Sequence, residues 1–211
     1  MKIKLNIPES LSEITLSQYQ KWITIIDKEE VGTFYQQKMI EIFCNADLKQ
    51  IMQMRIKDVE QVVNHLDSLF KLKPEFKPLF KLEDEEFGFI PKLDDMTFGE
   101  YIDLDTYLAD WKQMDSAMAV LFRPVVYRRK DKYIIEEYVS SDKYDLSDMP
   151  LDVVMGSLVF FCDLKNELLK HIVNYLKTQD TVDIPQDLKD LVENGVGISL
   201  FMGLQKENLE K

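Results

Sequence analysis

A threonine followed three residues later by a glutamate, set before a long apolar stripe, constrains this chain more than any other feature. Thr97 can accept a hydrogen bond from the backbone N–H of Glu100 while the Glu100 carboxylate accepts from the N–H of Thr97, the reciprocal arrangement that starts a helix. From there Tyr101, Leu104, Leu108, Trp111, Met114, Met118 and Leu121 recur every three or four residues. That spacing predicts one helix running to about Leu121, with an apolar face that forms the spine of the core.

The same logic recurs elsewhere. Thr15 and Gln18 open a helix to about Ile26, and Thr33 and Gln36 a third to about Cys44, which Asn45 can end. Residues 7–19 and 90–101 share Ile-Pro, an apolar residue, an acid, Thr, Gln or Glu, and Tyr after a single-residue gap. The lead-ins at 2–26 and 87–121 are therefore either an internal duplication or two independent uses of one capping chemistry. A short helix over Leu48 to Met54 and a clearer one over Asp58 to Lys71 complete the first half.

Strand signals are fewer. Ile3, Leu5 and Ile7 alternate with polar residues before Pro8, which suits a half-buried strand over 2–7. Leu79 to Leu82 and Phe87 to Ile90 flank an acidic run, Glu83 to Glu86, and read as a hairpin. Arg123-Pro124 ends the central helix, and 124–138 forms a second, protruding β-hairpin around a polar turn at Arg129 to Lys132. Residues 139–148 make a loop, Pro150 opens a helix carrying Leu151, Val154 and Leu158, and shorter helices follow over 185–193 and 198–209. With only 7 Gly and 7 Pro and no low-complexity linker, the expectation is a single domain over 1–211. Its expected class is mainly α: a helical bundle with one or two small β-hairpins as a minor α+β component.

Charge and chemistry exclude several function classes. A net charge of −12 disfavours sequence-specific or backbone binding of nucleic acid, which depends on Lys and Arg displacing counterions. The longest apolar run, 151–161, is interrupted by Asp152, Gly156 and Ser157 and falls short of the roughly 18 residues a membrane span needs. Cys44 and Cys162 are expected to be free thiols in a reducing compartment. His65 and His171 stand in no metal spacing, and Gly195-Val-Gly197 reads as a helix stop rather than a phosphate loop. Asp94, Asp95, Asp103, Asp105, Asp110 and Asp115 are expected on solvated faces and helix starts rather than around a cation. No catalytic residue, no cofactor and no metal site is expected. The one basic cluster, Arg128, Arg129, Lys130 and Lys132, is the candidate partner contact: on a hairpin tip it can dock on an acidic partner or on another copy of this chain, the other readings being a solvated turn with gatekeeping charges and a nucleic-acid contact.

Three stretches carry a resemblance. Phe87-Gly-Phe-Ile-Pro-Lys-Leu-Asp-Asp-Met-Thr-Phe-Gly-Glu-Tyr-Ile-Asp-Leu-Asp105 comes first, then Trp111 with Ala117-Met-Ala-Val-Leu-Phe-Arg-Pro124, then Met149-Pro-Leu-Asp-Val-Val-Met-Gly-Ser-Leu-Val-Phe-Phe161. Over roughly 75–165 the chain resembles poorly characterised proteins of tailed bacteriophages encoded among virion and tail-assembly genes. The resemblance implies a non-enzymatic structural protein, either a head–tail connector or ring component or a tail component. Its alternatives are a tail-assembly chaperone absent from the finished particle, or a protein packaged in the virion. It further implies a homo-oligomer that meets other phage structural proteins, located in the virion and, during assembly, in the host cytoplasm.

Overall fold

The computed structural model describes residues 5–26, 32–161 and 163. The chain divides into two compact units, Met1–Val154 and Met155–Lys211. The first unit holds helices α1 (Leu16–Ile26), α2 (Thr33–Phe43), α3 (Leu48–Ile51), α4 (Ile56–Phe70), α5 (Phe98–Tyr107) and α6 (Met114–Leu121). It also holds strands β1 (Leu79–Leu82), β2 (Glu85–Phe89), β3 (Phe122–Arg129) and β4 (Lys132–Ile135). Residues 151–161 are helical (α7), and the boundary between the units falls within them. Of the second unit only 155–161 and 163 are described, so the readings at Cys162, His171, 185–193, Gly195, Gly197 and 198–209 lie outside the described residues.

The fold class is α+β, which corrects the expectation of a mainly α bundle with one or two small hairpins. The two hairpins belong to one four-stranded antiparallel sheet in the order β1-β2-β3-β4. They join because β3 begins at Phe122, where Phe89 pairs with Phe122, Gly88 with Arg123 and Phe87 with Pro124. Arg123 precedes a proline, and the proline ring pushes the residue before it out of the helical region into extended backbone. Pro124 lacks an N–H, but its carbonyl still accepts from the N–H of Glu136 at 2.9 Å, and a bulge between Val125 and Tyr127 follows at once. Phe80, Phe87, Phe89 and Phe122 fill one sheet face, with ring centroids 5.3 to 5.5 Å apart along the chain of contacts.

The predicted spine helix is two helices. α5 stops at Tyr107, Asp110 accepts from the N–H of Lys112, and a 3-10 turn over Trp111–Gln113 leads into α6. Aspartate competes well for nearby backbone donors, so it favours such a restart over continued helix. From α1, the Gln20 side-chain amide holds the break by donating to the Trp111 carbonyl and to Asp115, both at 3.0 Å. Tyr19 packs edge-on against the Trp111 ring at 4.9 Å. The apolar stripe survives the break only in part: Leu104, Met114, Met118 and Leu121 are buried, whereas Tyr101, its predicted first member, is exposed.

Two of the three predicted capping boxes form. The Thr15 N–H donates to Gln18 at 2.9 Å and the Gln18 N–H to the Thr15 hydroxyl at 3.2 Å; Thr97 and Glu100 repeat this at 2.6 and 3.3 Å. Each follows a 3-10 turn, Leu11–Glu13 or Leu93–Asp95, so the similar stretches fold alike. The third prediction fails: Gly32 is the cap of α2, its carbonyl accepts from the Gln36 N–H at 3.2 Å, and Thr33 is the first helical residue. Asn45 takes a left-handed φ of 48° just past α2, which ends the helix as predicted. The predicted strand over 2–7 is not seen in its described part, since residues 5–7 carry no ladder. The pairing in this part of the chain is made instead around Thr15 and Pro150, where the Leu16 N–H donates to the Met149 carbonyl and the Leu151 N–H to the Ile14 carbonyl, both at 2.9 Å.

Candidate contact surfaces

The basic cluster sits on the β3–β4 hairpin, whose two-residue turn, Lys130-Asp131, places Lys130 in the left-handed region at φ 54°. The four cations are not equivalent. Arg128 bonds Glu86 of β2 at 2.6 Å, which ties it to its own sheet. Arg129 and Lys132 are direct cross-strand partners and both are exposed. Side chains alternate across a strand, so Tyr127 and its partner Ile134 share the face of Arg129 and Lys132, while Arg128 and its partner Tyr133 take the other. Tyr127 and Ile134 are 56% and 57% exposed. The hairpin therefore offers an apolar pair beside a cationic pair on one side. Composition alone gives the cations; the apolar pair needs the register, because one residue of slip would turn it over.

A second exposed apolar set lies on α5. Phe98, Tyr101 and Ile102 point outward while Glu100 and Leu104 are buried, and Asp105 continues the outward face. The helix is oriented by an internal ion pair: Arg123 of β3 reaches Glu100 at 2.6 Å. Burial alone pushes the Glu100 carboxyl up, but hydrogen bonds from Thr97 and the charge of Arg123 outweigh it and hold the group below the usual carboxylate range. The Arg123 guanidinium lies over the Tyr138 ring at 5.6 Å, and the Tyr138 hydroxyl donates to Asp103 of α5. Burial, then the Asp103 hydrogen bond and charge, push the Tyr138 hydroxyl pKa up. These contacts fix α5 on the sheet face that carries Arg123, away from the Phe122 side.

The acidic residues are dispersed in the structure. Asp110 caps the turn before α6, Asp115 accepts from Gln20, Asp103 from Tyr138, and Asp95 pairs loosely with Lys92 at 3.7 Å. Among the described residues no three His, Cys, Asp or Glu side chains are grouped to hold a metal ion. His65 Nε2 donates to the Pro8 carbonyl at 2.8 Å and joins α4 to the amino-terminal segment. Burial pushes the Cys44 thiol up to about 11, which leaves it protonated and inert at neutral pH. A cleft of about 310 Å³ opens between the start of α1 and the end of α2, lined by Glu13, Gln18, Lys21, Asn45 and Asp148 among others. Its described lining contains neither imidazole nor thiol, and Gln18 is already engaged with Thr15 and with the Ile42 carbonyl. No helix among the described residues is long and apolar enough to cross a membrane.

Comparison with protein-family models, with curated proteins and with solved structures finds no match for this chain.

Proposed function

We propose that this chain is a non-enzymatic structural protein of a tailed bacteriophage, at the head–tail connector or in the tail, acting through protein–protein contacts. The phage assignment rests on the resemblance of residues 75–165. The observation that carries the contact role is the β3–β4 hairpin, where exposed Tyr127 and Ile134 stand beside exposed Arg129 and Lys132. Exposed apolar side chains rimmed by charge are the usual make-up of a protein-binding surface. Mass spectrometry of purified particles of a phage encoding the chain tests the role. Peptides at a level matching other structural proteins are expected, and their absence overturns it.

A second reading, a tail-assembly chaperone missing from the mature particle, draws on Leu48, Met52 and Ile56, which are 49, 73 and 78% exposed around the α3–α4 turn. Methionine-bearing surfaces adapt to varied partners. That reading expects the chain in complexes from infected cells and not in the particle.

A further inference from the structure

The exposed faces of α5 and of the β3–β4 hairpin are complementary in two respects. Phe98, Tyr101 and Ile102 are 78, 58 and 47% exposed, a helix stripe of the aromatic kind that anchors interfaces. It is bordered by carboxylates, with Asp105 on the stripe itself and exposed Asp94 at its approach. The hairpin carries the matching pattern in the opposite charge: Tyr127 and Ile134, then Arg129 and Lys132. Within one chain the two cannot meet. Arg123 and Tyr138 hold α5 to one sheet face, and alternation turns Tyr127 and Ile134 to the other.

We infer that the occupant of the α5 stripe is the β3–β4 hairpin of a second copy of this chain. Apolar side chains meet apolar side chains, and Arg129 and Lys132 of one copy face Asp94 and Asp105 of the next. The contact is inferred to be head-to-tail, so that two joined copies keep between them one free hairpin and one free stripe. Such contacts propagate until they close as a ring or continue as a filament. This inference rests on the proposed contact role and specifies its partner. It is independent of presence in the virion, so particle mass spectrometry and self-association in solution can fail separately.

The test uses full-length chain and two variants, Arg129→Glu/Lys132→Glu with a dead hairpin and Phe98→Ser/Tyr101→Ser with a dead stripe, each checked by thermal melting. All four positions are exposed, so at concentrations below the onset of assembly the melting temperatures should match wild type. Sedimentation velocity should show wild type as a concentration-dependent assembly larger than a dimer, and each variant associating at least about tenfold more weakly. Mixed in equal amounts, the variants should form a one-to-one dimer and nothing larger, since only one good hairpin and one good stripe remain. A third variant, Asp94→Lys/Asp105→Lys, should fail alone and regain association when mixed with the Arg129→Glu/Lys132→Glu chain. Wild type that stays monomeric, variants that assemble like wild type, or a mixture that forms no dimer would each overturn the inference.

Discussion

The Arg123 guanidinium on β3 lies 2.6 Å from the Glu100 carboxylate on α5, with only 7% and 5% of the two side chains exposed. Glu100 is also the reciprocal partner of Thr97, which donates to it from both its N–H and its hydroxyl at 2.6 and 2.7 Å. One carboxylate thus starts the helix and locks it to the sheet. Among the described residues Arg123 Nε is buried without a hydrogen-bond partner, so the guanidinium depends on Glu100 and on the Tyr138 ring. Removing one member of a buried pair leaves the other charge uncompensated, at a cost of roughly 3 to 5 kcal/mol. Glu100→Met and Arg123→Met should each lower stability by about that much in urea denaturation. The double variant should lose clearly less than the sum, and additive losses would contradict the coupling.

The same pair predicts an acid response. Glu100 is held below the ordinary carboxylate range in the folded chain, so the folded state favours its ionised form. That contribution is complete above the unfolded pKa of about 4.3 and is lost as pH falls through the lower folded value. The melting temperature of wild type should therefore drop as pH is lowered below the unfolded value of about 4.3. Glu100→Gln takes up no proton there, and its melting temperature should fall less over that window while starting lower at neutral pH.

Gly88 leaves room on β2 for the Tyr133 and Ile135 side chains of β4, which reach across β3. A Cβ at this position would stand 2.7 Å from Cε2 of Tyr133 and 2.9 Å from Cγ2 of Ile135. The Tyr133 ring cannot swing away freely, because its hydroxyl donates to the Phe89 carbonyl at 2.8 Å. Gly88→Ala should destabilise by about 1 to 3 kcal/mol through overpacking. In a Tyr133→Ser background the same change should cost measurably less, read from denaturation midpoints.

The three threonines separate caps that form from one that does not. Thr15→Ala and Thr97→Ala each remove an acceptor for a helix N–H and should cost about 1 kcal/mol. Thr33 caps nothing in α2, and Thr33→Ala should stay within about 0.5 kcal/mol of wild type. Equal losses at all three positions would show that side-chain capping is not what distinguishes them.

Local chemistry was legible in this sequence where a signal is complete within a few residues. The lead-ins at Thr15 and Thr97, the stop at Asn45 and the turn of the second hairpin follow from spacing and residue type alone, whereas the acidic run makes the turn of the first two residues too long, since β2 already begins at Glu85. What escaped was the pairing of one hairpin with the other, because β2 and β3 meet across more than thirty residues and no local periodicity records a partner. The bias of Arg123 toward extended backbone before Pro124 was a readable signal. Treating Pro124 only as a helix stop placed the strand two residues too late and hid the sheet. The break at Asp110 was hidden for the opposite reason: α5 and α6 bury the same side, so the three-and-four spacing runs across it unbroken. At the contact surface, composition exposed the four cations but not that Arg128 is engaged with Glu86, nor that Tyr101, placed on the apolar stripe, faces outward with Phe98 and Ile102.

Glu83 and Lys130 occupy the first position of the two hairpin turns with φ of 52° and 54°, a region that costs a residue with a Cβ roughly 1 to 2 kcal/mol and glycine nothing. Glycine in turn loses more backbone freedom on folding, which returns about 0.5 to 1 kcal/mol of that gain. Glu83 is exposed and has no part in the hairpin contact, so it isolates the backbone effect. Glu83→Gly should raise the urea midpoint by the equivalent of about 0.5 to 1 kcal/mol, with no change in the steepness of the transition. Glu83→Ala keeps the Cβ and removes the charge, and it should leave the midpoint near wild type. A matching rise in the alanine variant would assign the gain to charge in the acidic turn rather than to backbone strain.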